Sequence, residues 1–271
     1  MIGLANLVNQ VSNKAFALLC VPGRLLGEWG ELGWISLVLG AGMALLFRWL
    51  VDRPRLEAAR ARLRAALLEL WLFRHDPWVV LRAEGELLGA NVAYLRAFFV
   101  PLAAALLVSA PLLIQAYSRW GLQPAETGKA LLLTAQLEPG SDWGVDLEWV
   151  KGQGTILPPV REPARNRLVW RIEPAIEGAL VLALRSRGGS AEFPLVVGQA
   201  GSGISALRAK EGLQQLLHPQ LPGLEAGSGF QSIQAEYPQS DSPWLLWLSG
   251  VSLLAAWGAN KLAQTRWPSK V

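Results

Sequence analysis

The sequence predicts an α+β membrane protein with three transmembrane helices, a cytoplasmic antiparallel helical hairpin and an extracytoplasmic β-sandwich-like domain. Apolar residues make up 52% of the chain and charged residues only 17%, whereas soluble domains hold about a quarter charged residues. Three segments are apolar and long enough to cross a bilayer. The section between the second and third of them instead alternates apolar and polar residues, as half-buried strands do.

Residues 1–22 are predicted to form an amphipathic helix that lies in the membrane interface. Leu4, Val8, Val11 and Leu18 recur at helical spacing, and asparagine and serine side chains occupy the other side. The Pro-Gly pair that follows is expected to end this helix.

The first transmembrane helix is predicted at residues 32–50, which are apolar apart from Ser36 and Arg48. Ser36, Gly40 and Ala44 repeat every four residues, a spacing that favours close packing of another helix. Arg48 has two interpretations. Its side chain extends to the inner interface, or it lines a polar groove that is open to the cytoplasm.

Residues 54–95 are predicted to form the cytoplasmic hairpin, with a turn at His75-Asp76-Pro77 where Asp76 can cap and Pro77 can begin the second helix. Both arms carry apolar stripes that we expect to pack together like a short coiled coil. The stripe residues are Leu56, Leu63, Leu67, Leu70 and Trp71 in the first arm and Val80, Leu81, Leu87, Leu88, Val92 and Leu95 in the second.

Nine arginines and no lysine lie from Arg48 to Arg96. Basic residues beside membrane helices stay in the cytoplasm, so this strip predicts that both adjoining helices lead outward. The second transmembrane helix is predicted at residues 97–117, as a continuation of the hairpin's second arm. Pro101 and Pro111 lie inside it, and prolines of membrane helices usually produce a kink.

Residues 121–240 are predicted to form the extracytoplasmic β-rich domain, because short alternating segments are separated by turn residues. A short helix is expected within residues 204–217. The strand candidates are Ala130–Leu137, Val145–Trp149, Arg167–Ile172, Ala179–Arg185, Ala191–Val197 and Gln231–Tyr237.

The third transmembrane helix is predicted at residues 243–262. Lys261, Arg266 and Lys270 place the tail, residues 263–271, in the cytoplasm. The N-terminus is then outside and the C-terminus inside. The preference for arginine over lysine suggests a bacterial source, and hence the inner membrane of a bacterium.

Little in the sequence points to catalysis. Cys20 is the only cysteine, which excludes a cysteine-based metal site, and His75 and His218 are expected at the surface. The sequence contains no Gly-rich phosphate loop of the Walker type and no nucleophile elbow. We therefore expect no enzyme activity, no cofactor and no DNA binding.

Polar residues within the predicted spans are candidates for a hydrophilic groove, because such groups usually face a partner or a wet cavity. They are Ser36, Arg48, Ser109, Gln115, Ser252 and Asn260. The hairpin arginines are candidates for contacts with rRNA phosphates, anionic lipids or an acidic partner. Together with the turn residues, the hairpin set is Arg53, Arg55, Arg60, Arg62, Arg64, Arg74, Asp76 and Pro77.

The order of these elements resembles the core of the YidC/Oxa insertase superfamily, in which one span, a cytoplasmic helical hairpin and two further spans follow an outside N-terminus. The resemblance covers residues 32–117 and, by topology alone, 243–262. Two features depart from the family: a β-rich domain replaces the helical pair of bacterial YidC, and Arg48 lies nearer the cytoplasmic end than the family's arginine. The matching hairpin residues are Leu72, Phe73, Arg74, His75, Asp76, Pro77, Glu84 or Glu86, Leu88, Asn91 and Tyr94.

The resemblance implies an insertase or chaperone that helps membrane proteins insert or fold without nucleotide hydrolysis. Its expected partners are the lipid bilayer, nascent membrane proteins and the ribosome. In this interpretation the polar flank of a nascent segment enters a groove beside Arg48. The alternative is a membrane-anchored scaffold or adaptor whose extracytoplasmic β-domain binds a protein of the envelope, since that domain is the largest part of the chain.

Overall fold

The structure is a computed structural model that describes residues 2–72, 77–198, 203–210, 213–225 and 227–266. It is 54% helical and 24% strand, which confirms the predicted mixture of helix and sheet. The helices of the described residues are α1 (Ile2–Arg24), α2 (Gly27–Leu50), α3 (Arg53–Leu72), α4 (Pro77–Ala116), α5 (Leu213–Leu217) and α6 (Trp244–Arg266). The strands are β1 (Leu131–Leu137), β2 (Asp146–Lys151), β3 (Gly154–Ile156), β4 (Val160–Glu162), β5 (Arg167–Pro174), β6 (Gly178–Ser186), β7 (Gly189–Val197), β8 (Leu207–Ala209) and β9 (Phe230–Ala235).

The chain divides into two compact units. The β unit consists of residues 1–32 and 112–247, and the hairpin unit consists of residues 33–111 and 248–271. The division places α1, which the sequence predicted as an interfacial helix, in the same unit as the strands.

The strands of the β unit form two antiparallel sheets. The larger sheet has the order β3-β5-β1-β9-β8, with β4 also paired to β5, and the smaller sheet has the order β2-β6-β7. Both sheets contribute to one hydrophobic core, in which Leu133, Leu168 and Phe230 of the larger sheet accompany Leu182 and Phe193 of the smaller sheet. The alternating strands predicted from the sequence correspond to β1, β2, β5, β6, β7 and β9.

The sequence did not predict the short strands β3, β4 and β8. The short helix expected within residues 204–217 is the five-residue α5, and the same segment also contains β8. Strand β8 pairs with β9 at the sheet edge. Three residues carry too little periodicity to be recognised as a strand, and pairing with β9 supplies the hydrogen bonds that define it.

The two ends of the strand-rich region meet. Leu122 and Gln239 form an antiparallel bridge, and the Gln123 N–H donates to the Pro238 carbonyl at 2.9 Å. The chain therefore enters and leaves this region at one place, as expected for a domain inserted between two helices.

By length and composition, two helices of the described residues could cross a membrane: Gly27–Leu50, with a mean hydropathy of 1.6, and Val80–Gly121, with 2.4. Only 28% and 17% of their apolar windows are buried inside the protein, which differs from the core helices of soluble proteins. The third predicted span, within α6, is not one of the two. Glycine, serine and tryptophan lower the hydropathy of α6, although it is 23 residues long.

Helix α4 is continuous over 40 residues, as predicted, with Pro101 and Pro111 inside it. The predicted turn at Asp76 and residue Arg74 lie outside the described residues, as does the tail beyond 266. Helix α1 also continues through Pro22 to Arg24, so the Pro-Gly pair does not end it at residue 22. Proline there costs less than inside a long helix because only the last turn loses a hydrogen bond.

The buried faces of α3 and α4 include only some leucines of the predicted stripes, which corrects the residues assigned to the stripes but not the coiled-coil-like repeat. Leu67, Trp71, Leu81 and Leu88 are 50–72% exposed. The less exposed positions of each arm follow a seven-residue repeat and include alanines as well as leucines. Each arm carries more apolar residues than one packed helix face can bury, so the remaining leucines are exposed. The buried or half-buried positions are Leu56, Ala59, Leu63, Ala66 and Leu70 in α3 and Val80, Leu87, Ala90, Tyr94 and Ala97 in α4.

Candidate functional site

Helices α2 and α6 contact each other in the hairpin unit through small residues. The Ser252 hydroxyl donates to the Ser36 carbonyl at 2.9 Å. A Cβ atom added to Gly40 would lie 2.1 Å from the Ser252 carbonyl oxygen, so only glycine fits there. The stripe of Ser36 and Gly40 is therefore a helix-packing surface, the role that such stripes usually have in membranes.

A groove with a volume of about 500 Å³ lies beside this contact, between α2, α3, α4 and α6. We call it the Arg48 groove. Arg48 of α2, Arg60 of α3 and Asn260 of α6 supply its polar groups. Its remaining walls are apolar or aromatic, and they are formed by Met43, Ala44, Phe47, Val51, Leu56, Phe98, Leu253, Ala256 and Trp257.

The Arg48 groove is positively charged, and no carboxylate of the residues that the structure describes lines it. Arg48 is half-buried, and no carboxylate of the described residues lies within 4.0 Å of its side chain. The Arg60 guanidinium stacks 6.0 Å above the Tyr94 ring, and the Lys261 ammonium lies 4.8 Å from the Trp257 ring. Aromatic faces attract cations but do not neutralise them, so the groove retains its charge.

The groove combines guanidinium donors with apolar walls, which suits an amphiphilic, anionic occupant. A guanidinium can bind a carboxylate with two parallel hydrogen bonds. The Phe47 and Phe98 rings pack with centroids 5.1 Å apart and present apolar surface beside these donors. A hydrophobic segment with an acidic flank has both matching features.

The other polar residues predicted for a groove lie elsewhere. The Ser109 hydroxyl donates to the Leu106 carbonyl of its own helix at 3.2 Å, as serines of membrane helices commonly do. Ser36 and Ser252 take part in the helix contact. Gln115 belongs to the β unit, so of the six candidates only Arg48 and Asn260 line the same groove.

The hairpin arginines separate into different environments. Arg60 lines the Arg48 groove, Arg55 and Arg62 line a second groove, and Arg64 is exposed and lines neither. The side chains of Arg53 and Pro77, like Arg74 and Asp76, lie outside what the structure describes. A helical wheel with the correct heptad register could have separated Arg60 from Arg64, but the excess of leucines hides that register in the sequence.

In the β unit, the polar side of α1 is bound by protein, a feature that the sequence did not reveal. The carboxamide of Asn9 donates to the Gln215 carbonyl, and that of Asn13 to the Pro219 carbonyl, both at 2.8 Å. The Gln215 side chain donates to the Asn6 side chain at 2.6 Å. These bonds hold α1 against the segment around α5, and asparagine residues that looked solvent-facing are structural.

Gln115 extends this network to the end of α4. Its amide donates to Asn13 and its carbonyl accepts from Gln220 at 2.6 Å. Gln220 also donates to the Ser118 hydroxyl at 2.9 Å. With an exposure of 1%, Gln115 is a buried amide whose nitrogen and oxygen both have protein partners.

A buried carboxylate near the start of α2 was also missed. Glu31 is 3% exposed, and its Oε2 lies 2.8 Å from Nη2 of Arg119. Arg24 lies 3.6 Å from its other oxygen. Burial and the neighbouring Glu31 raise the pKa of the Cys20 thiol to about 12, so this cysteine is a poor nucleophile.

The β unit contains a polar cavity of about 500 Å³ lined by Glu138, Pro139, Lys210, Gln214 and Gln231. The Lys210 ammonium lies 2.5 Å from the Glu138 carboxylate, which neutralises both groups. The remaining amides can form hydrogen bonds with an uncharged polar ligand or a peptide backbone.

Comparison with protein-family models, with curated protein sequences and with solved structures found no match. Among the described residues, no group of three or more histidine, cysteine, aspartate or glutamate side chains is arranged to hold a metal ion.

Proposed function

We propose that this chain is a YidC-like membrane protein insertase or chaperone that works without nucleotide hydrolysis. The observation that carries the proposal is Arg48, a half-buried arginine of a membrane-length helix that lacks a counter-ion in a groove with apolar walls. An unpaired charge in such a place is costly and indicates a functional partner. The resemblance in the order of helices supports the same conclusion.

In the proposed mechanism, the acidic or polar flank of a nascent segment enters the Arg48 groove. Arg48 and Arg60 bind the flank's carboxylates, and the aromatic walls contact the apolar part of the segment. The segment then moves into lipid, and burial of its apolar surface supplies the free energy. The exposed leucines of the hairpin, such as Leu81 and Leu88, offer a first contact for that segment.

The proposal includes a membrane topology. Three helices, α2, α4 and α6, cross the inner membrane of a bacterium with the N-terminus outside and the C-terminus in the cytoplasm. The excess of arginine from Arg48 to Arg96 places the hairpin in the cytoplasm. The strand-rich region then lies outside, and the bilayer, nascent membrane proteins and the ribosome are the partners.

The test is insertion by the full chain reconstituted in liposomes that contain no other insertase. A single-span client with an acidic flank is translated in a cell-free system, and translocation of the flank is measured by protease protection. We expect Arg48→Gln to reduce the protected fraction several-fold, because one guanidinium no longer attracts the flank. Arg48→Lys keeps the charge and should retain a larger fraction.

Arg82→Gln is the matched control, because Arg82 is an exposed hairpin arginine that pairs with Glu86 at 3.2 Å and lines neither groove. It should insert the client like the wild type. Equal insertion by the Arg48→Gln and Arg82→Gln proteins, or no insertion by the wild type, would contradict the proposal.

The polar cavity of the β unit favours a second candidate, an adaptor whose strand-rich region binds an envelope protein. The double variant Gln214→Ala and Gln231→Ala removes the two amides of that cavity. In cells that depend on the gene, an adaptor would lose its function with this variant and keep it with Arg48→Gln. An insertase would show the opposite pattern.

A further inference from the structure

A second groove, of about 510 Å³, lies in the hairpin unit. It is formed by the end of α2, the first half of α3 and the middle of α4. We call it the Arg96 groove. Among the side chains that the structure describes, three arginines line it: Arg55 and Arg62 from α3 and Arg96 from α4. Its apolar floor includes Leu50, Val100 and Pro101. It shares no lining residue with the Arg48 groove.

The charge in the Arg96 groove is only partly neutralised. Asp52 is its single acidic lining residue, and its carboxylate pairs with Arg55 at 2.9 Å. Asp52 also accepts a hydrogen bond from the Arg55 backbone N–H at 3.3 Å, so it caps the start of α3. Among the described residues, Arg62 and Arg96 have no carboxylate within 4.0 Å. Two guanidiniums from different helices, those of Arg62 and Arg96, therefore line the groove without a carboxylate partner among the described residues.

The depth of the groove relative to a bilayer follows from its lining residues. Leu50 is the last residue of a helix long and apolar enough to cross a membrane. Val100, which is 64% exposed, and Pro101 lie in the apolar part of the other such helix. In the proposed topology the floor therefore lies at the edge of the hydrocarbon, and the guanidiniums of Arg62 and Arg96 lie at the level of lipid headgroups.

We propose that the Arg96 groove binds an anionic phospholipid, with the headgroup phosphate between Arg62 and Arg96 and an acyl chain along Val100 and Leu50. Guanidinium groups suit phosphate oxygens because they donate parallel hydrogen bonds. The continuous apolar floor favours a lipid over an acidic peptide or an RNA, which would leave that floor exposed to water. This binding rests on the membrane topology of the proposed function but not on insertase activity, since it uses a different groove.

The test measures lipid binding to the full chain in detergent by native mass spectrometry, with phosphatidylglycerol and phosphatidylcholine of the same acyl chains. The wild type should bind phosphatidylglycerol more tightly. The double variant Arg62→Gln and Arg96→Gln should bind it about ten-fold or more weakly, since each basic residue near an anionic surface contributes about 1 kcal/mol. Arg82→Gln, which removes one hairpin arginine outside the groove, should keep the wild-type preference.

Circular dichroism checks that the double variant retains its helices. Equal phosphatidylglycerol binding by the double variant and the wild type would overturn the proposal. Displacement of phosphatidylglycerol by an equal concentration of inorganic phosphate would also overturn it, because the groove would then be a simple anion site. If the double variant does not fold, the comparison of the two lipids on the wild type is the test. Equal binding of phosphatidylglycerol and phosphatidylcholine by the wild type would contradict an anionic-lipid site.

Discussion

The arginines of the two units differ in their partners. In the β unit, Arg119, Arg167, Arg171, Arg185 and Arg187 pair with carboxylates, and Arg208 donates to backbone carbonyls of three residues. In the hairpin unit, Arg48, Arg60, Arg62, Arg64 and Arg96 have no carboxylate within 4.0 Å among the described residues. Among the described residues, only Arg161 and Arg165 of the β-unit arginines lack a carboxylate or carbonyl partner. In the hairpin unit, only Arg55 and Arg82 of the described arginine side chains pair with a carboxylate.

Apolar side chains show the same difference. In the β unit, Leu133, Phe193 and Phe230 are fully buried. In the hairpin unit, Trp71 is 72% exposed and Leu88 is 67% exposed. A surface that combines unpaired arginines with exposed leucines and aromatics needs lipid or protein to cover it. The difference indicates which unit depends on external partners. One measurement compares the two units directly, and three others test how far the β unit is stabilised by its own side chains.

The largest expected effect comes from a phenylalanine-to-alanine substitution in the core of the β unit, compared with the same substitution in the hairpin unit. Phe193→Ala should lower the free energy of unfolding by about 3–5 kcal/mol, because it leaves a cavity between the two sheets. Phe99 is 67% exposed, so Phe99→Ala should change that free energy by less than about 0.5 kcal/mol. Tryptophan fluorescence during denaturation in detergent measures both. Similar losses for the two variants would contradict the described difference between the units.

Removal of the partner of the buried Glu31 should have the next largest effect. Arg119→Ala leaves a carboxylate of 3% exposure without its guanidinium and should cost about 3 kcal/mol. The control is Arg171→Ala, whose pair with Glu173 at 3.0 Å is exposed and should be worth less than about 1 kcal/mol. Thermal unfolding of the two proteins under the same conditions gives the comparison, and a smaller loss for Arg119→Ala would show that the buried pair is not structural.

A smaller effect is expected for the asparagines of α1. Asn9→Ala removes the donor to the Gln215 carbonyl in a site of 5% exposure, and it should cost about 1–2 kcal/mol. Gln10→Ala changes an exposed neighbour on the same helix and should be neutral. Proteolysis within α1 offers a second measurement, because a loosened helix is cut faster. Equal behaviour of the two variants would mean that α1 does not depend on this network.

The smallest effect concerns pH. Burial lowers the pKa of His218 below its ordinary value of 6.5. A lowered pKa means that the unfolded chain binds a proton more readily, so this stabilising contribution is present above pH 6.5 and decreases as the pH falls through the folded pKa. The wild type should therefore lose more stability between pH 7 and pH 5 than His218→Gln. Parallel stability profiles of the two proteins would exclude this contribution.

The sequence indicated the local elements that depend on periodicity. Alternation predicted β1, β2, β5, β6, β7 and β9, and apolar length predicted α2 and the continuous α4. It did not indicate β8, which is defined by pairing with β9, nor the register of the α3–α4 seam. In the candidate site, Arg48 and Asn260 were named from the sequence, but Arg60, Phe98 and Trp257 join them only in the folded chain.

By itself the sequence determined the mixture of helix and sheet, the two membrane-length apolar helices and the concentration of arginine between them, because these depend on composition and on spacing along the chain. Only the tertiary structure decided which arginines are neutralised. Glu31 lies 88 residues from Arg119 in the sequence and yet pairs with it at 2.8 Å. Arg62 and Arg96 line one groove, and among the described residues neither has a carboxylate within 4.0 Å. The physical reason is that ion pairing depends on distances between side chains in space, and folding brings together residues whose separation along the chain carries no such information.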